Sequence, residues 1–578
     1  MSIISSLPPS HPTATLPMAM EESISSAQWL IAKWSCKSIS ATSPPTFLFV
    51  TNNQEARDYI HCVNGLRTIM DFYFSTHSPS PNTAVAHNLM QSAMKRLEME
   101  FHHLLSINSD DFNAALTSCA DGECDILSNP FAEDLKMIAH CMIRAGYGLE
   151  LVRAYKSVRK NAVDEELVKL GFQRLRSLKL KGMGDGMLDQ TVQAWIHAMF
   201  LAVGRVFNGE RILCDHIFGG ASDGLVESSF AETATEGANS VFLTGEAIAS
   251  AKGMRSTEII FRLMDMHNAI QEAIPLIESV FSFESTSSTQ RQVLDLLFKL
   301  RHSIHANLED FESSVRKHST KPAVPGGGIH YLTQTAMDHI ARLAGYTAVL
   351  SSIVTDHPSA AEKTRMPESF FDTSAASESP ISIRFARLIL VLLCKLDKIA
   401  ETYRDISLSY LFLANNLHLV VERVRCTPSL LNLMGEAWVI THHKTAKKYA
   451  SKYEFAAWHR VIKYVTLDES CASLSGKERL RKFKAAFEEA VRKQRSWTVV
   501  DGRMKEDLKA SIARKVVSAY EACVDDLLKG DESTVVRLRP ADLEIYISDL
   551  FRGVVDSSSS GSSSDSSSTS SRRMFFGR

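Results

Sequence analysis

Glycine and proline are scarce in this chain, 27 and 17 among 578 residues. So few breakers leave little room for the turns that many short strands require. No segment alternates polar and apolar residues between hairpin turns, so no sheet is expected. Long apolar runs are missing too. The longest, residues 388–394 (LILVLLC), has seven residues, against the roughly 20 that a membrane-spanning helix needs. The first residues include Ser5, Ser6, Pro8 and Pro9, in place of the basic start and apolar core of a secretory signal. Ten cysteines, at 36, 62, 119, 124, 141, 214, 394, 426, 471 and 523, are scattered without the density of a disulfide framework. These absences argue against secreted, all-β and integral membrane classes and point to the reducing cytosol.

What is there favours helices. Hydrophobic residues make up 45% and charged residues 22%, ordinary values for a chain that folds. From about residue 85 onward, apolar residues recur at helical spacing. Met90, Met94, Leu97, Phe101 and Leu104 form an a/d stripe of about two heptads, too short for a sustained coiled coil. Helices are predicted over 131–146, 149–159, 165–175, 188–207, 212–218, 227–251, 256–280 and 290–318. Further helices are predicted around the stripe Phe385, Leu388, Leu392, Leu396, Ile399, Tyr403, and over 409–424, 478–493 and 504–529. The 409–424 segment is apolar on nearly all faces, which places it at the centre of a bundle. The stretch 106–129 is polar and loop-like. Residues 557–571 are almost pure serine and bury too little apolar area to offset their ordering entropy.

The net charge of −2 conceals an asymmetry. Residues 441–515 hold 19 Lys and Arg against 9 Asp and Glu, or +10, which leaves −12 for the remainder. A basic segment suits an anionic partner, although such charges also simply solvate helix faces.

Candidate chemical motifs are weak. Residues 220–224 (GASDG) fit G-x-S-x-G around Ser222, but the nucleophile elbow needs a strand before it, and here a helix precedes. Residues 182–186 and Gly326, Gly327, Gly328 lack the Gly-Lys-Ser/Thr ending of a phosphate loop; Pro325 and the glycines after it read as a tight reversal between helices. Cys119 and Cys124 have no second ligand pair at a fitting distance for zinc. The neighbours His102 and His103, like His442 and His443, point to different helix faces and do not share a metal readily. Asn415 and Asn416 lie inside the most apolar helix, where a buried amide must be hydrogen-bonded; a register-fixing network is the preferred reading over a ligand site. No catalytic, cofactor or metal constellation emerges, and the basic segment lacks the interleaved aromatics and motif of a nucleic-acid binder.

Several stretches together resemble one family. They are residues 93–101 (AMKRLEMEF), 145–148 (AGYG), 155–160 (YKSVRK), 162–165 (AVDE), 211–215 (RILCD), 324–333 (VPGGGIHYLT), 412–418 (FLANNLH), 483–497 and 537–551. Their order and spacing from about 90 to 552 are similar to the plant-type seventy-kilodalton subunit of the exocyst, the vesicle-tethering complex. The resemblance implies an all-α, elongated rod of stacked antiparallel helical bundles, without catalysis, cofactor or small-molecule substrate. It divides the chain into a disordered start (1–20), a variable helical region (21–130), the rod (131–556, core about 165–552) and the Ser-rich tail (557–578). It implies docking of vesicles at the plasma membrane, with other exocyst subunits, anionic phosphoinositides and small GTPases as partners. The alternative is an adaptor or immunity-related scaffold of the same fold acting outside the complex.

Two departures from the family pattern bear on this. The family's lipid-binding stretch has two lysines three residues apart before the last helix, and Thr534 and Arg537 stand there, with Arg539 nearby. Arg537, Arg539, Arg514 and Lys515 are the candidate lipid contacts. With about 1 kcal/mol per basic residue on anionic lipid, weaker phosphoinositide binding than a typical member is expected. The family's long N-terminal coiled coil also finds no counterpart before residue 90.

Overall fold

The computed structural model describes residues 15–35, 46–75, 81–109, 112, 130–177, 185–250, 258–321, 323–356, 379–466, 475–529 and 538–553. All regular structure among them is helical, with no strand. No helix among them is long and apolar enough to cross a membrane. The Ser-rich tail, residues 1–14, Cys119, Cys124 and Arg537 lie outside the described residues.

The chain divides into two compact units, residues 1–304 and 305–578. The first opens with α1 (Thr15–Lys33), α2 (Leu48–Thr51), α3 (Asn53–Ser75) and α4 (Pro81–Ile107). Helical structure therefore starts well before residue 85, and α1 begins within the first 20 residues, which were expected to lack order. The signal was present but sparse. Ile24, Ala27 and Ile31 are buried on α1, and Ala56, Tyr59, Val63, Leu66 and Ile69 on α3, both at helical spacing. Between these positions polar residues dominate, so the stripe is one residue wide. Within the 93–101 motif, the buried Glu100 accepts the backbone N–H groups of Leu48 (2.8 Å) and Phe49 (3.4 Å). It thereby satisfies two of the orphan donors at the start of α2. Arg96 pairs with Glu100 and donates to the Thr46 carbonyl at 2.6 Å.

Next come α5 (Pro130–Arg144), α6 (Gly148–Lys169), α7 (Phe172–Ser177), α8 (Asp185–Leu201), α9 (Asn208–Phe218), α10 (Asp223–Ala249), α11 (Ile259–Val280) and α12 (Ser287–Lys317), the last of which runs on past residue 304. The helix predicted over 149–159 and the first part of that predicted over 165–175 are one element, α6. Its intervening polar stretch still buries Ala162 and Val163. Likewise α8 and α9 are continuous through a π turn, Ala202–Phe207. That extra residue per turn redirects Phe207 onto Phe281, with ring centroids 5.6 Å apart.

Small residues set the closest approaches. An added Cβ on Gly245 of α10 would lie 2.4 Å from the Trp195 ring, and Trp195 is fully buried with its indole N–H donating to the Val241 carbonyl at 3.1 Å. Gly245→Ala should therefore overpack the α8–α10 contact and lower stability by about 1–3 kcal/mol, read by urea unfolding. Wild-type stability in that variant would mean the two helices separate freely.

His267 of α11 is 1% exposed, and its Nε2 accepts a hydrogen bond from Arg301 Nε at 3.2 Å. Burial first, and the Arg301 charge second, push it down to about 4 from its ordinary value near 6.5. The unfolded chain binds the extra proton between those two pH values, so stability is full above about 6.5 and is lost as pH falls toward 4. At roughly 1.4 kcal/mol per unit, the contribution is about 3–4 kcal/mol. A glutamine retains an acceptor for Arg301 and does not titrate, so His267→Gln should flatten the stability–pH curve in that window. An unchanged acid slope would reject the assignment.

The second unit contains α13 (Tyr331–Ala344), α14 (Thr347–Asp356), α15 (Pro380–Ala400), α16 (Ile406–Cys426), α17 (Pro428–Met434), α18 (Glu436–Ile462), α19 (Gly476–Gln494), α20 (Gly502–Lys529) and α21 (Pro540–Ser548). Side-chain capping sets several starts, two of them clearly. The Ser379 hydroxyl accepts from Ser382 N at 3.3 Å ahead of α15. The Asp405 carboxylate accepts from Ser407 N (2.8 Å) and Leu408 N (3.4 Å) ahead of α16. Burial would raise the Asp405 carboxyl, but hydrogen bonds from Lys493 and those two amides hold it below the usual carboxylate range.

As expected from its composition, α16 is central, packing on α13, α15, α17 and α18. The pair α16–α18 is the most extensive helix contact, yet α18 gave no clear signal in the sequence. Its buried face is Trp438, Val439, His442, Ala446, Ala450, Tyr453, Glu454, Trp458 and Val461. Alanine and polar residues fill about half of those places, which blurs the apolar stripe.

Candidate functional site

The centre of the second unit is a polar clamp built on α16. Asn415 donates through Nδ2 to the Gly327 and Thr498 carbonyls, both at 2.8 Å, and its Oδ1 accepts from Val500 N at 3.3 Å. Asn416 accepts at Oδ1 from His330 N (2.9 Å) and Thr333 Oγ1 (2.7 Å). Its Nδ2 donates to Gly328 O (3.2 Å) and Phe412 O (2.8 Å). Both side chains are 2% exposed or less, and each uses both its donor and acceptor sides. The two amides thus hold the Pro325–Gly327 turn and the 497–500 segment against one helix, as the register-fixing reading anticipates.

The turn itself requires glycine. Gly326 and Gly327 have φ of 71° and 70°, in the left-handed region that other residues enter at a cost. A Cβ on Gly326 would also sit 2.7 Å from the Ser496 carbonyl oxygen, while the Gly326 carbonyl accepts from Thr498 N at 2.8 Å. This is a structural reversal between α12 and α13, without a phosphate cradle.

Most other chemical candidates from the sequence take structural places. Ser222 precedes α10 with extended backbone, φ −166° and ψ 113°, following α9 and no strand. A nucleophile elbow has nothing to stand on there. His103 stacks on Phe47 with centroids 3.2 Å apart. His442 stacks on Trp438 at 3.9 Å and its Nδ1 lies 2.9 Å from the Trp438 carbonyl. Of residues 182–186, the first three lie outside the described residues.

His443 is different. On α18 it faces His418 and Glu422 of α16, and one ligating atom from each of the three lies within 4.8 Å of the others. The sequence reading paired His443 with its neighbour His442 and so missed this partner set. The four-residue spacing of His418 and Glu422 was a usable clue; the third member came only from tertiary packing.

The basic lipid candidates fall in two places. Arg514 and Lys515 are exposed on α20, but Lys515 Nζ turns back to the buried Glu454 of α18 at 3.0 Å. Arg539 heads α21 with its side chain 87% exposed, 3.9 Å from Asp542. The Tyr520 hydroxyl donates to the Leu538 carbonyl at 2.9 Å, which holds the residue before Arg539 against α20.

These features define an all-helical protein whose described polar clusters serve to clamp helices and present surface charge. The particular family follows from comparison with known proteins. Residues 193–549 match the C-terminal family model of Exo70, the exocyst complex subunit, and residues 23–107 match the N-terminal model of the exocyst complex component Exo70. The chain belongs to the Exo70 family of exocyst components.

Among its relatives, exocyst complex component EXO70A1 of Arabidopsis thaliana is 26% identical over 554 residues, covering 87% of this chain and 84% of the relative. Exocyst complex component EXO70B2 of the same plant is 27% identical over 496 residues, covering 81% and 79%. The crystal structure of the S. cerevisiae exocyst component Exo70p superposes with a TM-score of 0.60 at 13% identity, covering 92% of this chain and all of that one. At that identity the yeast structure speaks for the shared helical fold. The N-terminal match also carries the family likeness, which the sequence motifs showed only from about residue 90, back to residue 23.

Proposed function

We propose that this chain acts as an exocyst subunit that tethers secretory vesicles to the plasma membrane, through contacts with other exocyst subunits and through anionic phosphoinositide headgroups. The observation that carries this is the family match over both halves of the chain. A tether needs surfaces rather than a catalytic cleft, and the second unit displays basic residues of the kind that anionic lipid attracts. A small GTPase is a further partner of the type the tethering role calls for. Affinity purification of the full chain from its own cells, with mass spectrometry of what co-purifies, tests the reading. Near-stoichiometric recovery of the other exocyst subunits is the expected result. Their absence beside abundant folded protein would favour the adaptor reading instead.

The lipid contribution has its own test. Arg514 and Arg539 are exposed, whereas Lys515 is already engaged by Glu454. At about 1 kcal/mol per basic residue, Arg514→Ala with Arg539→Ala should reduce partitioning onto phosphoinositide-containing liposomes more than tenfold. Binding that is strong and survives removal of Arg514, Arg537 and Arg539 together would place the lipid site elsewhere.

A further inference from the structure

The cavity between α16, α18 and the start of α20 has a volume of about 620 Å³ and is lined by His418, Glu422, His443 and Asp501, among others. From this juxtaposition we infer that His418, Glu422 and His443 form a binding site for a divalent transition-metal ion of the zinc type, with the Asp501 carboxylate behind His418. The inference concerns a site separate from the clamp and the basic surface, and it does not rest on the tethering reading.

The geometry begins with spacing. His418 and Glu422 are four residues apart on α16, so their side chains lie one above the other on one face. His443 arrives from α18, across the most extensive helix contact in the molecule. The three ligating atoms lie within 4.8 Å of one another. A tetrahedral site with metal–ligand bonds of about 2.1 Å needs separations of about 3.4 Å, which small torsional adjustments of these partly buried side chains supply. Asp501 bridges to the third element. Its Oδ1 accepts from Met504 N at 2.6 Å at the start of α20, and its Oδ2 lies 3.4 Å from His418 Nε2. Asp501 can thus orient the His418 ring, as carboxylates do behind ligating imidazoles.

A second, independent observation is the Nδ1 atom of His443, which is buried and has no hydrogen-bond partner among the described residues. Buried polar atoms are normally satisfied, and a metal ion satisfies this one. Two features weaken the site. Arg425 Nη1 occupies one oxygen of Glu422 at 3.0 Å, and the nearby cations repel any metal ion. A hard cation that depends on several free carboxylates is therefore disfavoured, whereas two imidazoles suit zinc and its neighbours in the first transition row. A bound ion would staple α16, α18 and the start of α20 together.

The test uses the untagged full-length chain, stripped with chelator and titrated with Zn2+ against a chromophoric indicator and with Co2+ by visible absorption. One equivalent of Zn2+ should bind and raise Tm. That equivalent should disappear in His443→Ala and in His418→Ala, while Asp501→Asn weakens it by about 10- to 100-fold. Bound Co2+ should show the ligand-field bands of a nitrogen and oxygen site. The wild-type cobalt spectrum stands even where a histidine variant folds poorly. A sulfur-to-cobalt charge-transfer band, a zinc equivalent retained by both folded histidine variants, or no equivalent bound by the wild type would each overturn the inference.

Discussion

Glu210→Ala should lower the unfolding free energy of the first unit by about 3–5 kcal/mol, the cost of leaving a buried charge unpaired. Arg159 of α6 and Glu210 of α9 are both fully buried. Arg159 donates to Glu210 Oε2 through Nε at 3.1 Å and Nη2 at 2.8 Å. The Tyr155 hydroxyl donates to Oε1 at 2.7 Å, and Cys214 Sγ lies 3.3 Å from that hydroxyl. Removing the carboxylate strands a guanidinium and a phenol in an apolar interior, where neither recovers its hydration. Urea unfolding should therefore show an early transition for this unit. Replacing Arg159 and Glu210 together with apolar residues of similar volume should cost markedly less than the single change, because no charge is then left behind. If the double variant is as damaged as the sum of the singles, the pair is not acting as one unit.

Asn416→Ala should destabilise the second unit by about 3 kcal/mol. It leaves the His330 amide, the Thr333 hydroxyl and the Gly328 carbonyl without the partner they have now, at about 1–3 kcal/mol for a buried group left unmade. The effect should be partly local, loosening the 324–333 segment in amide exchange before global unfolding. Asn416→Asp is the sharper test. An aspartate keeps the acceptor but turns a charge toward the Gly328 and Phe412 carbonyls, which the amide served as donor. It should be worse than alanine at neutral pH and improve as the pH falls and the carboxyl becomes a donor. Equal stability of the two variants across pH would mean that the clamp is wet and that solvent replaces the amide.

The particular elements show where sequence is sufficient. Helix class was legible because scarce glycine and proline, and stripes such as Phe385, Leu388, Leu392, Leu396 and Ile399, depend only on local periodicity. The position of α16 at the centre followed from its apolar residues on every face. Among the helices the sequence did not announce, α3 has a buried stripe one residue wide and α18 buries alanine, histidine and glutamate beside its large residues, so their stripes are weak and their partners decide them. For the clamp, the sequence required only that Asn415 and Asn416 be satisfied; it left open by what.

By itself, then, the sequence determined that the chain is helical, that its central helix is buried and that it resembles one family over most of its length. Local spacing and composition carry those facts. Only the tertiary structure decided which polar groups meet: Glu210 with Arg159, Asn416 with the turn before α13, and His443 with His418 and Glu422. Those meetings join residues on different helices, and periodicity reports which face a helix buries without reporting what lies across it.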